Sequence, residues 1–345
     1  MSLRSEIFEQ PAVLDRLYRN QKDRADEIAR TIRDRGVTSV FLAARGTSDN
    51  AALYGKYLWG SINGLPVALA APSLFTVYET PPRLEGCLVV GISQSGQSPD
   101  IVAVLAEGRR QGALTLAITN EPSSPLADQA ELVLETCAGP ERAIAATKTY
   151  TTQLFALALL SAAIKGESRL FDALERVPRL VEETLALDSA IEQSAQRYRY
   201  MSQCVVIGRG YNYATANEWA LKLKELAYVV AESYSSADFQ HGPIAIVSQG
   251  FPILAAVPTG AVFKDAYALL SSLVKEHGAE LVVVSNDDAA LALAKTPLPL
   301  PREMPEWLSP LVAIVPAQLF CYHLTRARGY DTETPRGLLK VTRTW

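Results

Sequence analysis

Histidine and methionine are scarce in this 345-residue chain, with 3 of each, and cysteine and tryptophan number only 4 each. The cysteines, Cys87, Cys137, Cys204 and Cys321, stand far apart with no C-x-x-C pair. That pattern fits neither a structural zinc site nor a disulfide framework, and it points to a reducing cytoplasm. A three-histidine metal centre would need His241, His277 and His323 together, and their spacing carries no such motif. The expectation is no metal. A strong charge of one sign is missing too: 33 Lys+Arg face 37 Asp+Glu, a formal net charge of −4. Such a balance argues against a dedicated nucleic-acid binder, although one local cluster can hold a small anion whatever the total. The longest apolar run, read at 154–164 (LFALALLSAAI), is too short to span a bilayer. The charged N-terminus has no apolar signal-peptide core. Neither nucleic acid nor membrane is expected as a partner.

What is present is a globular composition, 48% hydrophobic and 20% charged, over a length that suggests two domains. Continuous apolar runs at 40–44 (VFLAA), 88–92 (LVVGI) and 114–118 (LTLAI) each precede a longer segment with helical spacing. This is the pattern of parallel strands buried on both faces and joined by crossover helices. The second half repeats it. VFLAARG at 40–46 matches CVVIGRG at 204–210, and GCLVVGISQSG at 86–96 matches GFPILAAVPTG at 250–260, both at a shift of 164. QGALTLAITN at 111–120 matches HGAELVVVSN at 277–286 at a shift of 166. Three units in one order at a nearly constant offset predict two copies of one α/β domain. We read a helical segment over 1–29 that packs across the copies, a first domain over 30–165, a helical linker over 166–194, a second domain over 195–330, and a tail over 331–345 that closes the active site.

In open parallel sheets, ligands bind beyond the C-terminal ends of the strands. Beyond the second strand of the first copy lies Ser93-Gln94-Ser95-Gly96-Gln97-Ser98, with Pro99-Asp100 opening a helix. Hydroxyls and an amide around a glycine at a helix N-terminus suit a phosphate ester. An ordinary turn with Ser98 as N-cap accounts for the same residues. The matching loop, Val257-Pro258-Thr259-Gly260, keeps the glycine but loses most hydroxyls, so any phosphate belongs to the first copy. After the first strand, Arg45-Gly46-Thr47-Ser48 offers Thr47 and Ser48 as helix caps or as further ligand contacts.

In the segment 218–230 (EWALKLKELAYVV), Glu218, Lys222 and Glu225 share one helical face at i, i+4 and i+7. They read either as a solvated ion-pair face or as a carboxylate, Glu225, held beside a lysine as a proton-transfer base. His241, before Gly242-Pro243, is presented in a turn, either as a structural histidine or as a general acid–base near neutrality. The tail Pro335-Arg336-Gly337-Leu338-Leu339-Lys340-Val341-Thr342-Arg343 is either frayed or docks to carry Lys340 into a pocket.

Taken in order, EIFEQP, ISQSGQSPD, AIAATKTYTTQL, EWALKLKELAY, AESYSSADFQHGP and PRGLLKVT span nearly the whole chain. With them the sequence resembles the SIS (sugar isomerase) amino-sugar-phosphate enzymes: the isomerase half of glucosamine-6-phosphate synthase and, more closely, the SIS-type glucosamine-6-phosphate deaminases. The resemblance implies an α/β fold of two tandem SIS domains, each a parallel-sheet three-layer α/β/α sandwich. It implies that Ser93, Gln94, Ser95 and Ser98 hold a sugar phosphate, with Ser48 also in contact. It implies that Glu225 moves the proton between C1 and C2 beside Lys222, and that His241 opens the sugar ring from the partner subunit of a homodimer. Lys340 would contact the open-chain sugar, and Ile144 and Ala145 would line the site through their backbone. The chain departs from the synthase at residue 2, a Ser rather than the cysteine that begins a glutaminase domain, at Arg45 in place of Cys, and at Gln97 in place of Glu. RGTSDNA, APSLFTVY and the KVTRTW ending are nearer the glutaminase-free deaminases.

The expected reaction is glucosamine 6-phosphate plus water to fructose 6-phosphate plus ammonia, with no cofactor. The alternatives are an ammonia-dependent synthase running the reverse reaction, a fructosamine-6-phosphate deglycase, and a non-catalytic sugar-phosphate sensor. An acid–base set of Glu225, His241 and Lys340 disfavours the sensor, because binding alone does not require one.

Overall fold

The structure, a computed structural model, describes residues 2–340. The chain divides into two compact units. The N-terminal unit comprises 10–141, 148–176 and 339–340, and the C-terminal unit comprises 2–9, 142–147 and 177–338. Val341, Thr342 and Arg343 of the expected docking tail lie outside the described residues.

In the N-terminal unit, strands β1 (Ser39–Ala43), β2 (Val67–Leu69), β3 (Cys87–Ser93), β4 (Leu114–Thr119) and β5 (Leu132–Glu135) form one parallel sheet in the order β2-β1-β3-β4-β5. Every residue of β4, and all of β3 except Cys87, is buried. This is why the sequence shows continuous apolar runs rather than alternation. Helix Gln10–Asp34 buries Val13, Leu14, Leu17, Ile28 and Ile32 at helical spacing and packs on helix Lys148–Lys165. Helix Lys148–Lys165 also packs on Thr47–Asn63 and is buried on nearly all sides.

The C-terminal unit repeats the design. Strands β6 (Gln203–Gly208), β7 (Val230–Ser235), β8 (Pro252–Ala256), β9 (Glu280–Ser285) and β10 (Thr296–Pro299) pair in parallel in the order β10-β9-β8-β6-β7. Counted from its own first strand, this is the same 2-1-3-4-5 order as in the other unit, the doubly wound arrangement. Helices Ser168–Glu175, Val177–Leu185 and Asp188–Ala195 occupy the charged amphipathic segment between the copies.

One sequence reading needs correction. The longest apolar helix is not the one around 154–164 but Glu306–Ala327, which by length and composition alone could cross a membrane. Its apolar window is wholly buried. In its unit it packs against helices Val177–Leu185, Asp188–Ala195 and Asn212–Lys222, with Phe320 edge-on to Tyr198 and Trp219. An apolar core helix and a membrane span pass the same compositional test, and burial decides which one this is.

Candidate active site

At the C-terminal end of β3 the chain turns through Ser93–Ser98 into helix Pro99–Arg110. Two features hold the turn. Gly96 adopts φ +61°, and a Cβ there would lie 2.0 Å from Ser124 Oγ, so only glycine fits. The Gly96 N–H donates to Ser93 Oγ at 3.1 Å, and the Gln97 N–H donates to Ser95 Oγ at 3.3 Å. Ser98 is the N-cap by position, but its side chain makes no capping bond. The ordinary-turn explanation for Ser98 therefore loses its hydrogen bond; within the first turn, Pro99 has no N–H and the Ile101 N–H donates to Asp100 Oδ1. Gln94, Ser95 and Ser98 are each half-buried, and Ser93 is buried.

The neighbouring strand β1 ends at the second loop. Gly46 is the N-cap of helix Thr47–Asn63, Thr47 opens that helix, and Ser48 is buried. Ser48 Oγ accepts a 3.0 Å bond from Gln153 Nε2. Since β1 pairs directly with β3, this unit brings Thr47, Ser48, Ser93, Gln94, Ser95 and Ser98 to the ends of adjacent strands.

The C-terminal unit assembles a different chemistry. Regular helix runs from Asn212 to Lys222 and then widens into a π-helical turn, Leu223–Ala227, that ends at Tyr228 with a left-handed φ of +54°. Such turns are rare and concentrate at functional sites. Lys222 is fully buried and bonds to Glu225, while Glu218 Oε1 lies 3.4 Å from its Nζ. Glu218 is fully buried, and the Glu225 side chain is 23% exposed. The solvated-face alternative is thus overturned. The helix packs this face against Glu306–Ala327, so the charges compensate one another inside the unit. Burial alone would discharge Lys222, but the two carboxylates outweigh it and raise its pKa above the usual lysine value. Lys222 therefore stays a cation, and Glu225 alone of the three acidic and basic groups reaches solvent.

His241 follows helix Ser236–Phe239, is exposed, and precedes Gly242 at φ +118°. It lines a cleft with Arg209, Gln240, Ile244 and Asp265, and none of Glu218, Lys222 or Glu225 lines that cleft. Ile144 is half-buried and Ala145 is buried. Their segment is held by the buried Glu6 carboxylate, which accepts from the N–H groups of Arg142 and Ala143. Nearer the C-terminus, the Arg336 N–H donates to Tyr228 Oη at 2.8 Å, and its guanidinium stacks 3.7 Å from the Tyr228 ring centre. Lys340 Nζ lies 2.9 Å from the fully buried Glu141 carboxylate, which also accepts from the Thr149 N–H and hydroxyl.

Sequence reasoning passed over Glu6, Glu141, Gln153 and the pairing of Arg45 with Asp100. Glu6, Gln153, Arg45 and Asp100 fall inside the quoted motifs and Glu141 beside one, but no spacing rule marks an acid whose partner lies 199 residues away. Among the described residues no group of His, Cys, Asp and Glu is arranged to hold a metal ion. Burial raises the pKa values of Cys137, Cys204 and Cys321, so these thiols are poor nucleophiles.

The SIS domain family profile matches residues 34–163 and 200–327. The chain belongs to the SIS domain family. It is 36% identical over 342 residues to the glutamine–fructose-6-phosphate aminotransferase (isomerizing) of Pyrococcus horikoshii, covering 97% of this SIS chain but only 56% of that relative. This SIS chain thus spans little more than half the length of such relatives. The solved C-terminal domain of glucosamine-fructose-6-phosphate aminotransferase from Francisella tularensis superposes with a TM-score of 0.86 at 29% identity, covering 96% of this chain and 98% of that one. Glucosamine-6-phosphate deaminase from Thermotoga maritima superposes with a TM-score of 0.79 over 100% of both chains, at 22% identity, a likeness of fold.

Proposed function

We propose that this SIS protein is an enzyme of sugar-phosphate isomerisation, and specifically a deaminase that converts glucosamine 6-phosphate and water into fructose 6-phosphate and ammonia. The observation that carries the reading is the Glu218–Lys222–Glu225 cluster, a solvent-reaching carboxylate beside a buried cation on a π-helical turn. Ser93, Gln94, Ser95, Ser98, Ser48 and Thr47 bind the phosphate, so that remote binding energy orients C1 and C2. His241, supplied by the partner copy of a homodimer, transfers the proton that opens the ring. Glu225 takes the proton from C2, leaving a 2-amino-1-enol, and returns it to C1. The resulting ketimine adds water and expels ammonia. Lys222, bonded to Glu225, positions that side chain for the abstraction. Lys340 and the Ile144–Ala145 backbone contact the open-chain sugar. Every atom of the stated products comes from sugar and water.

A second reading has its own support. Relatives such as the Pyrococcus protein carry the aminotransferase name, and the same proton transfer run in reverse consumes fructose 6-phosphate and ammonia. Purified protein should therefore be given glucosamine 6-phosphate, its galacto epimer and a fructosamine 6-phosphate, with ammonia release measured, and fructose 6-phosphate plus ammonium in the opposite direction. The deaminase reading expects release from an aldosamine phosphate and a loss of about 100-fold to 10,000-fold in turnover for Glu225→Gln. Release from the fructosamine phosphate alone would replace it with a deglycase, and net synthesis alone with the reverse reaction. Recovery of activity on mixing His241→Ala with Glu225→Gln chains is the outcome that a shared histidine requires.

A further inference from the structure

The serine loop supplies hydroxyls, an amide and backbone N–H groups, all neutral donors, for a ligand that carries close to two negative charges. The fold puts a cation beside it. Arg45 leaves β1 at the strand end next to β3, and its Nε donates to Asp100 Oδ2 at 2.7 Å. Asp100 sits in the first turn of helix Pro99–Arg110, two residues beyond Ser98, and is wholly buried. Its other oxygen accepts from the Ile101 N–H at 2.9 Å. The carboxylate is therefore fixed, and it fixes the guanidinium in turn. Among the described residues the two outer nitrogens of Arg45 donate no hydrogen bond, and the side chain is 48% exposed. An arginine anchored through Nε presents its remaining N–H pair as a fork matched to two oxygens of a phosphate.

The other unit provides an internal control. Arg209 stands at the position repeated from Arg45, with Asp265 one residue beyond the position repeated from Asp100, but there Arg209 uses an outer nitrogen, Nη1, at 3.3 Å, and Asp265 is 66% exposed. The same pair is loose and solvated where the adjacent loop has lost its hydroxyls.

We propose that Arg45, held in place by the buried Asp100, is a phosphate-binding residue of the N-terminal unit and sets a preference for phosphorylated over neutral sugars. This rests on the serine loop being the phosphate site. The probe is inorganic phosphate, titrated calorimetrically into the intact protein and tested as a competitor of the substrate. Arg45→Gln removes the guanidinium from the buried Asp100, so Arg45→Gln/Asp100→Asn is made beside it, together with Arg45→Lys and Ser95→Ala. The expected result is phosphate binding weaker by roughly 10-fold to 100-fold in both Gln variants, and an intermediate loss in Arg45→Lys. The ratio of kcat/KM for glucosamine 6-phosphate over glucosamine should fall with it, whereas a structural role would lower both alike. Wild-type phosphate affinity in the double variant, with Ser95→Ala weakened, overturns the role of Arg45 and leaves the functional reading intact. Failure of the wild-type protein to bind phosphate or sugar phosphate overturns both.

Discussion

The two units share one strand order, yet the positions facing their strand ends are filled in opposite ways. Helix Thr47–Asn63 buries Tyr54 and Leu58, and 164 residues later the matching helix buries Glu218 and Lys222. The loops differ in the reverse sense. In the N-terminal unit, Ser98 makes no side-chain cap on helix Pro99–Arg110, and the Ile101 N–H donates to Asp100 of the helix itself. In the C-terminal unit, the loop before helix Phe263–Lys275 is occupied by the protein itself. Glu306 Oε2 accepts the Ala261 N–H at 2.8 Å, and its carboxylate packs so closely on Gly260 that a Cβ there would lie 2.1 Å from Glu306 Cδ. One copy has a hydroxyl-rich loop and an apolar helix. The other fills its loop with its own carboxylate and puts buried charge in the helix. A repeated backbone fixes where groups can stand, and side chains at matched positions divide the chemistry.

The sharpest way to break this comparison is to make the charged helix resemble the apolar one. Lys222→Leu leaves Glu218 buried without its cation and should destabilise the protein by about 3–5 kcal/mol in urea unfolding. Glu218→Leu/Lys222→Leu removes both members of that buried pair and should recover most of the loss, because Glu225 reaches solvent and can be hydrated. At the matched apolar site, Leu58→Ala should cost about 2–5 kcal/mol through cavity formation alone. If the double variant is as unstable as the single one, the cluster is not held by charge compensation, and the comparison fails at its centre.

The architecture was legible because β3, β4, β8 and β9 are buried on both faces and leave apolar runs that align at a nearly constant offset. The outer strands were not. β2 is three residues long, and β7 is polar and half-exposed, so neither has a pattern to read. At the candidate site, the i, i+4, i+7 spacing of Glu218, Lys222 and Glu225 was visible, but their burial was not. Burial comes from Phe320 and its helix, which pack from about 100 residues away. The same distance hid Arg45–Asp100, 55 residues apart, and Glu306–Ala261, 45 apart. Local spacing identifies which side chains can share a face. It carries no information about what covers that face.

The two glycines test the loops at a smaller scale. Gly96→Ala combines a left-handed φ with a Cβ against Ser124, and should destabilise by about 1–3 kcal/mol and raise KM for the sugar phosphate. Gly260→Ala meets the Glu306 carboxylate instead, so it should cost a similar amount of stability with little change in KM. Adding Glu306→Ala should relieve part of that cost, a coupling of at least about 0.5 kcal/mol in a double-mutant cycle. An equal rise in KM for both alanine variants would show that the second loop is not closed, and the division of labour between the copies would be lost.

The smallest effect is one of pH, and its sign follows from Lys222. The folded-state pKa is raised above the ordinary 10.5, with burial opposing and Glu218 and Glu225 prevailing. A raised lysine contributes stability that is complete below the unfolded pKa and is lost only as pH climbs through the folded one. The gap in unfolding free energy between wild type and Glu218→Leu/Lys222→Leu should therefore stay level from pH 8 to about 10 and change only above the ordinary lysine value. The buried Cys204, pushed up to about 12, acts in the same direction, since its thiol ionises first in the unfolded chain and withdraws stability above the ordinary value of 9.0. That loss is common to both proteins and cancels in the difference. A gap that already widens between pH 8 and 10, with wild type gaining stability as pH rises, would mean that Lys222 gives up its proton more easily than its two carboxylates allow, and the charged helix would then differ from its apolar counterpart in shape rather than in electrostatics.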